Sequence, residues 1–138
     1  MYVGLVLDEL SNKKARDMCA LFFVDTHLDP DAFSLVCHHM TITMGSGKKL
    51  KEKYGWEIGD FETVEIHGFG YCDTAVAFKV VLPMGKTIRK KSKFKDVEEV
   101  TPHITAAVHR DGKPVDSQKI SKWERCRFDV SGTVQVQG

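Results

Sequence analysis

Nowhere in its 138 residues does this chain assemble the roughly 20 consecutive apolar residues that a membrane-spanning helix requires. No contact with a membrane is expected. The opening residues, Met1-Tyr2-Val3-Gly4-Leu5-Val6-Leu7-Asp8, lack the basic stretch of a secretion signal and meet an acid early. They read as a first strand, and a cytoplasmic location is expected. Cysteine is sparse: Cys19, Cys37, Cys72 and Cys126 stand apart, with no Cys-x-x-Cys pair and no zinc-finger spacing. They read as buried thiols rather than disulfides, and neither a metal site nor a cofactor is indicated. The run Gly45-Ser46-Gly47-Lys48-Lys49 lacks the spacing of a phosphate loop, because Ile42 stands where the first glycine belongs and Lys49 where the hydroxyl belongs. Linkers and low-complexity segments are also missing, so residues 1–138 are expected to form a single domain.

What is present is the composition of a soluble globular protein, 42% hydrophobic and 28% charged, with a net charge of +1. That total hides a cluster. Residues 86–95 hold Lys86, Arg89, Lys90, Lys91, Lys93 and Lys95 without one acid. The spacing of Ala15, Met18, Cys19 and Phe22 predicts an amphipathic helix over 12–23, with Ser11 as its N-cap. Residues 25–31 read as a loop, 50–54 as a short helix, and 61–70 as a strand with a bulge near Gly68 and Gly70. Residues 74–82 are its hairpin mate, the basic run is an exposed loop, 117–123 are helical turns, and 127–136 form the last strand. The predicted order is β-α-β, a connector, a hairpin and two further strands.

Two stretches remain, and they match. Cys37-His38-His39-Met40-Thr41-Ile42-Thr43-Met44-Gly45 and Pro102-His103-Ile104-Thr105-Ala106-Ala107-Val108 each carry His-x-Thr inside an apolar run, 64 positions apart. Side chains of a strand leave alternately on opposite faces, so His39, Thr41 and Thr43 share one face, as do His103 and Thr105. Met40, Ile42, Met44, Ile104 and Ala106 then point into a core. His38 is expected to face away from His39 and to be structural.

Imidazole titrates near pH 6.5 when unperturbed, so one copy can accept a proton while another donates one. Placed on opposite sides of a phosphodiester, two imidazoles can deprotonate the attacking oxygen and protonate the leaving one, each role contributing about 10² to 10⁴ in rate. The threonine hydroxyls are spaced to donate to the non-bridging oxygens, where charge develops. Which histidine is the acid is not legible at this stage.

His39-Met40-Thr41 and His103-Ile104-Thr105 resemble the paired signature motifs of the 2H phosphoesterase superfamily. Pro102-His103-Ile104-Thr105, with Gly112-Lys113-Pro114-Val115-Asp116-Ser117 and Trp123 after it, is similar to the cyclic phosphodiesterase domain of fungal and plant-type tRNA ligases. Phage enzymes of the superfamily that degrade cyclic oligonucleotides are similar in layout. The resemblance implies a bilobal α+β fold: two antiparallel sheet halves form a concave groove, with the His-x-Thr strands central and helices outside. It also implies His39 and His103 as the catalytic pair and Thr41 and Thr105 as phosphate ligands. The implied activity is a metal-independent hydrolysis of a 2′,3′-cyclic phosphate at an RNA end, or of a cyclic or 2′-5′-linked oligonucleotide. No obligatory protein partner is indicated.

Lys91 and its basic neighbours precede the second motif and are candidates for flanking phosphates; Lys113 and Ser117 are weaker substrate-binding candidates. Phe94, Tyr54, Trp56 and Tyr71 could stack on a base. Cys37 as a nucleophile has no supporting residues. Two rival readings remain open: a non-catalytic RNA- or nucleotide-binding module using the same groove, and a metal hydrolase built on His38, His39 and His103.

Overall fold

Short alternating apolar runs build strands, and in the computed structural model, which describes all residues from Met1 to Gly138, seven of them join in one sheet. They are β1 (Tyr2–Leu7), β2 (Phe33–Leu35), β3 (His39–Met44), β4 (Phe61–Cys72), β5 (Ala75–Val81), β6 (His103–His109) and β7 (Glu124–Gln137). Two α-helices, α1 (Glu9–Phe23) and α2 (Leu50–Tyr54), and 3-10 turns at Pro30–Ala32 and Pro114–Lys119 complete the chain. The sheet order is β2-β6-β5-β4-β7-β1-β3, and every pairing is antiparallel. The α+β class with antiparallel strands agrees with what the resemblance implied, and the order of elements with what the pattern predicted. The strand count differs by one, because β2 has only three residues, too few to show a period.

The long strands β4 and β7 pair at the centre, and β6-β5-β4 on one side answers β3-β1-β7 on the other. Each series ends in a His-x-Thr strand. In strand order these two are therefore peripheral, not central: β3 closes one end and β6 stands next to the other. The bulge foreseen in β4 is present, with the register of both its ladders shifting between Ile66 and Gly68. Gly70 is required nearby, since a Cβ there would sit 2.6 Å from Ile120 and 2.8 Å from the Trp123 ring.

One connection curls the sheet. β2 and β3 are consecutive in sequence yet lie at opposite ends of the sheet, and the four Cα steps from Leu35 to His39 reach about 14 Å at most. The two ends must therefore meet. Val36 N donates to Ala106 O at 2.7 Å and Cys37 N to Thr105 O at 3.1 Å, continuing the pairing with β6. Cys37 then takes a left-handed conformation, φ 48°, and His38 O accepts from Leu7 N at 2.9 Å, which starts the pairing with β1.

Helix α1 begins earlier than its sequence predicted. The N-cap is Asp8, whose carboxylate accepts from Ser11 N at 2.7 Å; Ser11 lies inside the first turn, buried, with its Oγ accepting from Ser131 N at 2.8 Å. Ala15, Cys19 and Phe23 are buried against the sheet, and Met18 and Phe22 pack beside them. The core continues through Trp56, Phe69, Phe78, Leu5, Met40, Ile42 and Ile104. All four cysteines are free thiols. No helix is long and apolar enough to cross a membrane.

Asn12 holds the curl in place: from α1 its amide donates to Cys37 O at 2.7 Å and reaches Val36 O at 3.4 Å. Removing it strands the Cys37 carbonyl. Asn12→Ala is expected to cost about 1–2 kcal/mol, read as a fall of a few degrees in Tm by circular dichroism.

Candidate active site

Alternation along β3 and β6 makes the two walls of a cavity. Met40 and Ile42 are buried while His39, Thr41 and Thr43 are only partly so; in β6, Ile104 and Ala106 are buried while His103 and Thr105 are partly so. Met44 departs from the expected pattern. It is 53% exposed, because β3 runs out of covering structure there, and it lines the cavity mouth. The cavity, about 710 Å³, brings together His39, Thr41, His103 and Thr105. That volume lies within the range of roughly 300–1,000 Å³ typical of small-ligand sites.

The two histidines are held differently. His103 Nδ1 lies 2.7 Å from Thr101 O, and since a carbonyl only accepts, that nitrogen carries the hydrogen. Burial lowers the pKa of His103, partly offset by this bond. His39 is stacked on Tyr2, with ring centroids 4.7 Å apart, and its Nδ1 lies 3.4 Å from the Tyr2 hydroxyl and 3.0 Å from His38 Nδ1. Burial first, then His38 and His103, push its pKa down to about 4. His38 does not face away as expected. The left-handed Cys37 breaks strand alternation just before β3 begins, and the exposed His38 ring turns onto that of His39.

Thr105 Oγ1 lies 2.9 Å from Ser117 Oγ and 3.3 Å from Pro114 O. Thr41 has no protein partner for its hydroxyl and lines the cavity unengaged. Ser117, a predicted substrate contact, is 2% exposed and lies behind Thr105 instead of lining the cavity. The 3-10 turn 114–119 buries it. Lys113 is exposed outside the cavity, where its backbone N–H donates to Asp116 Oδ2 at 3.1 Å.

Lys91 does line the cavity, joined by Arg89 and Lys93, which sequence reasoning had left undistinguished within the basic run. That run is no free loop. Arg89 N donates to Ile42 O at 2.8 Å, Lys93 N to Gln118 Oε1 at 2.9 Å and Ser92 Oγ to Gln118 Oε1 at 3.1 Å, so it straps across from β3 to the turn after β6. Lys86 and Lys90 are within ion-pair distance of Glu62 and Glu99, whereas Arg89, Lys91 and Lys93 have no acidic partner. The cavity wall contains no Asp or Glu at all. Three cations facing an acid-free cavity create a positive potential that favours an anion.

The proposed stacking aromatics lie elsewhere: Trp56 is fully buried, with Nε1 donating to Thr87 O at 2.7 Å, and Tyr54 and Tyr71 pack on the core. Phe94 lies under Lys119, 4.6 Å from its ammonium. Tyr2 takes their place on the cavity wall. Cys37 is fully buried, and its thiol is pushed up to about 12 by that burial, so it stays protonated. No group of three or more His, Cys, Asp or Glu side chains converges to hold a metal ion. No protein-family model matches the chain, and the search of curated proteins returns no match.

With its pKa depressed, His39 binds a proton more readily unfolded than folded, so its contribution to stability is present above about pH 6.5 and is lost as pH falls toward 4. Histidine Cε1–H chemical shifts should place its titration near pH 4, and Tm should decline across the same window. His38→Gln, which removes one source of repulsion, should raise that titration point.

Proposed function

We propose that this chain is a metal-independent phosphodiesterase of the 2H type, hydrolysing a nucleotide phosphodiester by paired-histidine acid and base catalysis. The observation that carries the reading is the cavity itself: two imidazoles, two threonine hydroxyls and three unpaired cations lining one acid-free space. One imidazole removes the proton from the attacking water, and the other returns one to the leaving oxygen. Thr41 donates to a non-bridging oxygen, and Thr105 does so once its hydroxyl turns from the Pro114 carbonyl, with Ser117 donating to Thr105 Oγ1 from behind. The bilobal reading has support in the strand order, where each His-x-Thr strand ends a series of three strands leading out from the central β4–β7 pair.

The strap supports a substrate with more than one phosphate. A single reacting phosphate is served by the histidines and threonines, which leaves Arg89, Lys91 and Lys93 for neighbouring phosphates. The substrate class we infer is an RNA end with a 2′,3′-cyclic phosphate, or a cyclic or 2′-5′-linked oligonucleotide, acted on in the cytoplasm without a protein partner.

His39→Ala and His103→Ala should each lower turnover by about 10² to 10⁴ while the folded spectrum is retained, and Thr41→Val by about 10². Wild-type activity should survive excess chelator. Loss of activity to the chelator would favour the metal hydrolase, and no cleavage of cyclic phosphates, cyclic dinucleotides or oligoadenylates would leave only the binding module. The Lys91→Ala/Lys93→Ala double variant should raise KM for an oligonucleotide and flatten its dependence on salt, measured between about 50 and 200 mM.

A further inference from the structure

The two imidazoles are not equivalent, and their partners assign their roles. We propose that His38 relays a proton from solvent through His39 to the leaving oxygen, while His103 acts as the base. This rests on the phosphodiesterase reading above.

His103 comes first. Its Nδ1–H is committed to the Thr101 carbonyl, so when the ring is neutral the lone pair is on Nε2, as a base requires. His39 is bonded to groups of another kind. The Tyr2 phenol and the His38 ring can both donate, and desolvation raises the Tyr2 pKa, which keeps its hydroxyl protonated. The relay assigns Nδ1 as the acceptor from these two groups, and a neutral His39 then carries its hydrogen on Nε2, the atom left for the substrate.

A neutral imidazole is a feeble acid unless a proton reaches its other nitrogen as the first departs. His38 supplies it. Two imidazolium rings with nitrogens 3.0 Å apart repel, so only one of the pair holds the charge. His39 is the poorer host, buried beside Tyr2 from β1 and within the field of His103 from β6, with no carboxylate in the cavity to stabilise a charge. His38 is exposed and exchanges with water.

The step balances. Water attacks phosphorus and gives its proton to His103 Nε2 while the bond to the leaving oxygen breaks. That oxygen takes the hydrogen from His39 Nε2, and His39 Nδ1 takes the one from His38 Nδ1. His38 becomes neutral, His39 remains neutral as the other tautomer, and His103 ends as imidazolium. Proton exchange with solvent restores the starting state.

The test compares two leaving groups in wild type and His38→Ala. For a nucleoside 2′,3′-cyclic phosphate, whose leaving alkoxide needs a proton, kcat should fall about 10- to 100-fold with KM little changed. For a p-nitrophenyl nucleotide ester, whose leaving phenolate needs none, the loss should shrink to a few-fold. Added imidazole should restore part of the first loss and not the second. Equal losses on both esters would overturn the relay. The tautomer gives a readout independent of turnover: ¹⁵N shifts should place the hydrogen of neutral His39 on Nε2, and finding it on Nδ1 would also overturn the relay. If wild type cleaves neither ester, the phosphodiesterase reading falls with the relay, whereas cleavage with equal losses removes the relay alone.

Discussion

The three residues that join opposite ends of the sheet are the constraint on which the site depends. Val36, Cys37 and His38 leave β6 on one side and enter β1 on the other, so the sheet has to curl until β3 stands across from β6. An open sheet in this strand order would separate the two His-x-Thr strands by four others. The curl also explains a conformation that is otherwise costly. A left-handed non-glycine residue costs roughly 1–2 kcal/mol, and Cys37 tolerates it because its thiol is buried and its carbonyl is held by Asn12. Backbone strain, closure and the orientation of His38 thus have one origin.

Electrostatics follow from that closure. Once the walls meet, desolvation disfavours charge on both imidazoles, and their mutual proximity and that of His38 add to it for His39. The strap brings three more positive charges and no negative one. Such a cavity disfavours protonation of both its histidines.

Much of this was legible in the sequence where it depended on local periodicity. The alternation of Met40 and Ile42 against His39 and Thr41, the helix stripe through Ala15 and Cys19, the bulge at Gly68 and the β4–β5 hairpin each follow from residues within one element. What was not legible depends on contacts between distant segments. β2 is too short to show a period, and Asp8 displaces Ser11 as N-cap because Ser11 is needed by Ser131, far along the chain. Tyr2 reaches the cavity only because β1 pairs with β3, and Arg89 only because its N–H bonds Ile42. Ser117 illustrates the limit in reverse: the right neighbourhood was identified, but its burial behind Thr105 was set by a turn whose packing no spacing encodes.

His38 was misplaced by an argument sound for strands and inapplicable one residue before a strand begins. That failure bears on how a pair of matching motifs can acquire different roles. His39 and His103 are offered by near-identical local sequences, each in an apolar strand and each followed two residues later by threonine. Their Nδ1 partners are nevertheless set by segments outside the motif: a backbone carbonyl that only accepts in one case, and a phenol and a second imidazole that can donate in the other. A repeated strand therefore supplies two similar imidazoles, and the non-repeated surroundings give their Nδ1 atoms partners of different kinds. On the proposed reading, acid and base would be distinguished by what lies behind each ring, which the motif pair alone does not encode.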